Sequence, residues 1–125
     1  MKLYIAGPVR GKDPQRCIDA FDAAEAQLIA RDYEVFNPLT EHKHLLKEAD
    51  KLTVKELKQI FREDIEGLFD CDGVVLLEKW EDSKGATGEF WIARACNMPA
   101  LDLNEWLHAS RVAEAILRQT LGAKQ

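Results

Sequence analysis

Three things are scarce in this chain, and each scarcity removes a class of function. It has no basic arm or run, and its formal net charge of -5 argues against a non-specific grip on a nucleic-acid polymer. A small anionic ligand stays open, because one phosphate needs only a few local donors. It has no apolar run of membrane-spanning length and no leader-like segment, which predicts a cytoplasmic protein without a membrane role. Its cysteines are only Cys17, Cys71 and Cys96, widely spaced and each inside an apolar run. An odd, dispersed set excludes a disulfide frame or a zinc site and predicts buried free thiols in a reducing compartment. His42 and His44 lack an acidic or cysteine partner at metal-ligand spacing, so no metal is expected.

What remains is the balance of an ordinary globular protein in 125 residues, which predicts one domain over residues 1–125 around a single core. Strand-like and helix-like segments alternate along it. Lys2–Ala6 is β-rich and closed by Gly7-Pro8. Asp13-Pro14 then offers an N-cap and an N1 proline to a helix burying Cys17, Ile18, Phe21, Leu28 and Ile29. Tyr33–Phe36 reads as a second strand stopped by Asn37-Pro38. Residues 40–52 are charged and read as a surface excursion with some helix. Thr53-Val-Lys-Glu56 is a capping box opening the next helix. A third strand spans 73–78, a helix follows a Ser/Gly-containing loop at 79–88, and a short fourth strand lies within 98–103. Asp102 or Asn104 caps a last amphipathic helix. Such alternation predicts an α/β fold, a small doubly wound parallel sheet of Rossmann-like or flavodoxin-like type with helices on both faces. Ligands of such folds bind at the carboxyl ends of the strands, here the loops 7–13, 37–40 and 79–88.

Two acids stand out against this frame. Glu89 shares a helical stripe with Ile92, Ala93 and Cys96, and Asp64 shares one with Leu57, Ile60, Phe61 and Leu68. A carboxylate on an apolar stripe is out of place unless it is paired or used. Two of them, flanking one strand end, point to acid–base or nucleophilic chemistry. The structural alternatives are a helix-start acid for Glu89 and a paired or backbone-bonded acid for Asp64. The loop Gly7-Pro-Val-Arg-Gly-Lys12 is neither a Walker loop nor a dinucleotide fingerprint. It does offer backbone donors and Arg10 ahead of a helix N-terminus, which suits one phosphate.

Leu3-Tyr-Ile-Ala-Gly-Pro-Val-Arg-Gly11, Arg62–Val75 and Ser83-Lys-Gly-Ala-Thr-Gly-Glu89 together resemble the signature blocks of the nucleoside 2-deoxyribosyltransferase-like family. That family includes 2′-deoxynucleoside 5′-monophosphate N-glycosidases and many phage-type members. The resemblance covers roughly residues 2–100. It implies that Glu89 is the nucleophile that forms a glycosyl ester at C1′, Asp64 the acid serving the leaving base, and Tyr4 the residue positioning the nucleophile. Ser83 matches the serine that binds the 5′-phosphate in the monophosphate hydrolases, and Gly7, Arg10, Gly11 and Gly85 match positions lining the sugar phosphate. It implies no cofactor, a small nucleotide or nucleoside substrate, and a homodimer or higher homo-oligomer. Burial is expected to raise the pKa of Asp64, while the start of a helix favours the Glu89 carboxylate. Two departures are Trp91, where the hydrolases carry Gly, which predicts an altered base pocket, and the unmatched segment 41–52. Three activities therefore stay open. They are N-glycosidase on a nucleoside monophosphate, base exchange through the same ester, and nucleotide binding without turnover.

Overall fold

The computed structural model describes residues 1–9, 13–42 and 51–109. Strand β1 (Lys2–Ala6) leads to helix α1 (Pro14–Ile29), β2 (Glu34–Phe36), the single turn α2 (Leu39–His42) and α3 (Val54–Phe69). Then come β3 (Gly73–Leu76), a 3-10 turn (Trp80–Asp82), α4 (Lys84–Ala95), β4 (Ala100–Asp102) and α5 (Leu103–His108). The four strands form one parallel sheet in the order β2-β1-β3-β4, so chain direction across the sheet reverses between β1 and β3. The expected doubly wound α/β architecture is what the chain adopts, in the flavodoxin-like order.

Alternation along the central strands sorts the core into two layers. Leu3, Ile5 and Val75 face Cys17, Phe21, Ala24 and Leu28 of α1 and Trp106 of α5. Tyr4, Ala6, Val74 and Leu76 face Leu68 of α3 and Ala86 and Ala93 of α4. Both faces of β1 and β3 are thus covered, as parallel sheets require. Trp106 is fully buried, donates its indole N–H to the Val74 carbonyl at 2.8 Å, and accepts at its own carbonyl from the Tyr33 hydroxyl at 2.9 Å. Those two bonds satisfy the polar ends of two large aromatics and tie α5 to the sheet. Asp72 accepts from the Lys2 backbone N–H at 2.9 Å, fixing the entry to β3 beside β1.

The helix starts follow local chemistry. Thr53 and Glu56 form the expected reciprocal capping box on α3, and Asp102, not Asn104, caps α5 with Glu105 as its partner. Asp13 occupies the α1 N-cap with Pro14 behind it, but its side chain makes no capping bond. The strands are shorter than expected, since β3 ends at Leu76 and β4 spans three residues. Helix α4 starts at Lys84 rather than near Glu89, because Ser83 caps it through the Ala86 N–H at 3.2 Å. Two burial expectations fail at helix ends. Ile29 is exposed in the last turn of α1, and Cys96 is exposed just past α4, where the helix has left the sheet. The amphipathic continuation expected after residue 109, with Val112, Ala113, Ile116 and Leu117, lies outside the described residues.

Helix α3 touches the sheet only through its last turns, where Gly67 and Leu68 are its buried residues. Gly67 is there for space. A Cβ at that position would lie 2.3 Å from Cζ of Phe36, and the ring in turn stacks on Tyr4 with centroids 5.3 Å apart and planes 11° apart. Gly67→Ala is expected to push that ring aside and lower stability by about 1–3 kcal/mol, despite the better helix propensity of alanine. A urea melt at constant m-value checks this.

Candidate functional site

Three side chains converge on the α3/α4 face at the carboxyl side of the sheet. Tyr4 lies in the middle of β1, between Val74 of β3 and Phe36 of β2, and is completely buried. Its hydroxyl donates to Oε2 of Glu89. Glu89 stands in the second turn of α4, only 8% exposed and one of the few buried polar residues described. Asp64 lies on α3 where that helix rises past the end of the sheet, and its side chain is 14% exposed.

The electrostatics differ from the expectation. Burial pushes the Glu89 carboxyl up to about 8; the Tyr4 hydrogen bond opposes that rise, and the charge of Asp64 adds to it. The Tyr4 phenol is driven far above its ordinary value by burial first, then by the charges of Glu89 and Asp64. The expectation that a helix start would favour the Glu89 carboxylate is therefore not met: its proton is held up to about pH 8. The reason is position. Glu89 is more than a turn inside α4, beyond the reach of the N-terminal dipole, and lies buried against the sheet.

That pKa has a consequence for stability. A buried carboxyl that ionises near 8 in the folded chain and near 4.5 when unfolded holds its proton more tightly when folded. Its burial costs nothing below about pH 4.5, and the cost grows as pH rises until it levels off above about 8. Glu89→Gln, which keeps the shape and the acceptor for Tyr4, is expected to match the parent at pH 4. It should gain on the order of a few kcal/mol at pH 8. Denaturant melts at the two pH values check the difference.

Beside Asp64 opens a pocket of about 280 Å³, whose lining includes Glu25, Phe36, Asn37, His42, Glu63 and Asp64. Asn37 is buried and held at both ends of its amide. Its Nδ2 donates to Asp22 at 3.1 Å and its Oδ1 accepts from the Leu39 N–H at 3.0 Å. The turn of α2 brings His42 in, with Nε2 3.4 Å from Oδ1 of Asp64 and 3.6 Å from Oε2 of Glu63. Neither Phe36 nor His42 was recognised as part of the site from sequence. Phe36 read as strand core, and His42 was weighed only as a metal ligand; its acidic neighbours arrive from a helix twenty residues on. Among the described residues no group of three or more His, Cys, Asp and Glu side chains is disposed to hold a metal ion.

The remaining candidates fall as follows. Gly7 is buried at the end of β1, with a Cβ position 3.0 Å from Leu77. Ser83 and Gly85 lie at the start of α4, where the Ser83 hydroxyl already accepts from Ala86 and Gly85 faces Phe61 of α3. Arg10, Gly11 and His44 lie outside the described residues. Trp91 is 64% exposed and meets only Phe90 edge-on, at 5.4 Å. It is not among the residues lining the pocket beside Asp64. Trp80 packs on Phe90 at 4.7 Å, half-buried, as an anchor for the start of α4.

The family model for the domain of unknown function DUF4406 matches residues 1–102. The chain belongs to the DUF4406 family. No curated protein matches this DUF4406 chain in sequence. Among solved structures it is similar to a 2-deoxyribosyltransferase from the psychrotolerant bacterium Bacillus psychrosaccharolyticus, characterised as a biocatalyst for the synthesis of antiviral and antitumoral nucleosides. The identity is 18%, the TM-score 0.65, and the match covers 94% of this chain and 96% of the other. At that identity the likeness establishes the fold. This DUF4406 protein has a deoxyribosyltransferase-like α/β fold, and no helix among its described residues is long and apolar enough to cross a membrane.

Proposed function

We propose that this protein is an N-glycosidase that cleaves the base–sugar bond of a nucleoside 5′-monophosphate through an ester on Glu89. The observation that carries the reading is the buried Tyr4–Glu89 hydrogen bond, with Asp64 close enough to raise the Glu89 pKa. A buried acid held by a buried phenol beside a second acid is costly for a purely structural protein. It suits a reaction that needs one carboxylate and one carboxylic acid. Glu89 attacks C1′, the C1′–N bond breaks, and its electron pair leaves with the base, which takes a proton from Asp64. Water then attacks C1′ of the ester, releasing the Glu89 carboxylate and returning a proton to Asp64. The products are free base and sugar phosphate.

The proton on the two acids is shared, and the substrate decides where it sits. In the empty site burial holds a proton on Glu89. Positive charge developing at C1′ favours the Glu89 carboxylate, and negative charge developing on the base favours a protonated Asp64. The active form thus carries one proton on the pair. Above about pH 8 that proton is lost and Asp64 has none to give, so kcat/KM is expected to fall as pH rises through that value. A pH profile that keeps climbing past 9 would contradict the shared proton.

Ser83 at the α4 start, with Arg10, Gly11, Gly7 and Gly85, is the phosphate-side set on this reading, and the enzyme works as a homodimer. A monomeric mass by light scattering at micromolar concentration would count against the dimer. Base exchange uses the same ester with an acceptor base in place of water, and labelled adenine incorporated into nucleotide would reveal it. The glycosidase itself is tested by incubating the protein with a panel of nucleoside monophosphates. Free base found by chromatography supports it, and intact nucleotides after long incubation oppose it.

A further inference from the structure

We propose that the pocket beside Asp64 selects a leaving base with an exocyclic amino group on its far edge, the adenine or cytosine pattern, over the oxo pattern of hypoxanthine or uracil. The inference rests on the reading of Asp64 as the group that serves the leaving base. About 280 Å³ is at the lower limit of small-molecule sites, roughly 300–1,000 Å³, so the pocket holds a base and not a whole nucleotide. Phe36 and Pro38 give it flat apolar walls, and Phe36 is held in place by its stack on Tyr4.

The polar part of the lining is dominated by acceptors. Glu25, Glu63 and Asp64 contribute three carboxyl groups. The side-chain donors in the lining are Asn37, His42 and the Thr40 hydroxyl, and the first two already face carboxylates. The Asn37 amide donates to Asp22, and His42 Nε2 faces Asp64 and Glu63. Glu63 also accepts from Gln59 at 3.0 Å. Glu25, half-buried on α1, makes no hydrogen bond or ion pair with the described residues and is the acceptor left over. An exocyclic amino group meets that wall with N–H donors, where an oxo base offers only a ring N–H beside its carbonyl. A base with a carbonyl there sets lone pair against carboxylate and leaves both unsatisfied, the arrangement by which buried polar groups discriminate most strongly.

The cleanest test compares deoxycytidine and deoxyuridine 5′-monophosphates, which differ at that edge by amino against oxo, and repeats the comparison with the deoxyadenosine and deoxyinosine pair. Base release is measured by chromatography, and binding by calorimetry on the same protein. The expected result is a kcat/KM higher by roughly 10–100-fold for the amino member of each pair, the size of one hydrogen bond to a charged acceptor. Glu25→Gln, whose amide both donates and accepts, should bring the ratio towards one. Equal cleavage within both pairs overturns the selectivity and leaves the glycosidase reading standing. Preferential binding of the amino member with no cleavage upholds the selectivity and ends the glycosidase reading. Neither binding nor cleavage ends both.

Discussion

Replacing Glu89 with alanine is expected to abolish turnover while nucleotide still binds. On the proposed mechanism Glu89 supplies the bond that traps the sugar, so its loss removes the intermediate itself and not only an aid to reaching it. On the same mechanism other segments hold phosphate and base, so calorimetric affinity should change little. The purely structural view of Glu89 predicts the reverse. The carboxyl is 8% exposed with its pKa pushed up by burial, and removing it would then alter the melting curve and leave the rate alone. The rate of this one variant separates the two, because removing a buried acid is expected to move the melting curve on either view.

Asp64→Asn is expected to slow base release by about 10²–10⁴-fold, the usual contribution of a positioned acid. The asparagine keeps the side-chain shape beside His42 but has no proton to give. Glu25 and Glu63 line the same pocket, so a base leaving as an anion would meet negative charge, and departure depends on protonation. The loss should therefore be smaller for a substrate whose base departs without a proton, such as an activated aryl leaving group. A uniform loss across leaving groups would assign Asp64 to binding. The variant should also lower the pKa of Glu89 by removing a neighbouring charge, so the residual rate should rise with pH through that lower value and then stay level instead of falling above about pH 8. A damaged fold would not do that.

Much of the fold was legible because parallel α/β proteins write their layers into local pattern. The two faces of β1 separate Leu3 and Ile5 from Tyr4 and Ala6, and the capping box at Thr53 marks the start of α3. The start of α4 was not legible in the same way. Ser83-Lys-Gly-Ala-Thr-Gly88 reads as loop because glycine is a poor helix former, yet Ser83 caps a helix that starts there. With the start at Lys84 and not at Glu89, the acid lies past the helix dipole and in the core, and its pKa is raised where a lowering was expected. His42 shows the other limit. Its place beside Asp64 depends on how α2 meets α3, a tertiary contact that spacing in one sequence does not encode. Phe36 against Gly67 is a second such pair, thirty-one positions apart and fixed only when β2 joins the sheet.

The central claim is a covalent bond between Glu89 and the sugar. A nucleotide with fluorine at the 2′ carbon destabilises an oxocarbenium-like transition state and slows release of the ester, so the intermediate should accumulate. The protein is incubated with that analogue, quenched in acid and digested, and the peptides are weighed. The account predicts one equivalent of free base together with a fluoropentosyl phosphate on the peptide containing Glu89. Continued release of base beyond one equivalent with an unmodified Glu89 peptide, or a label on any other residue, would contradict it.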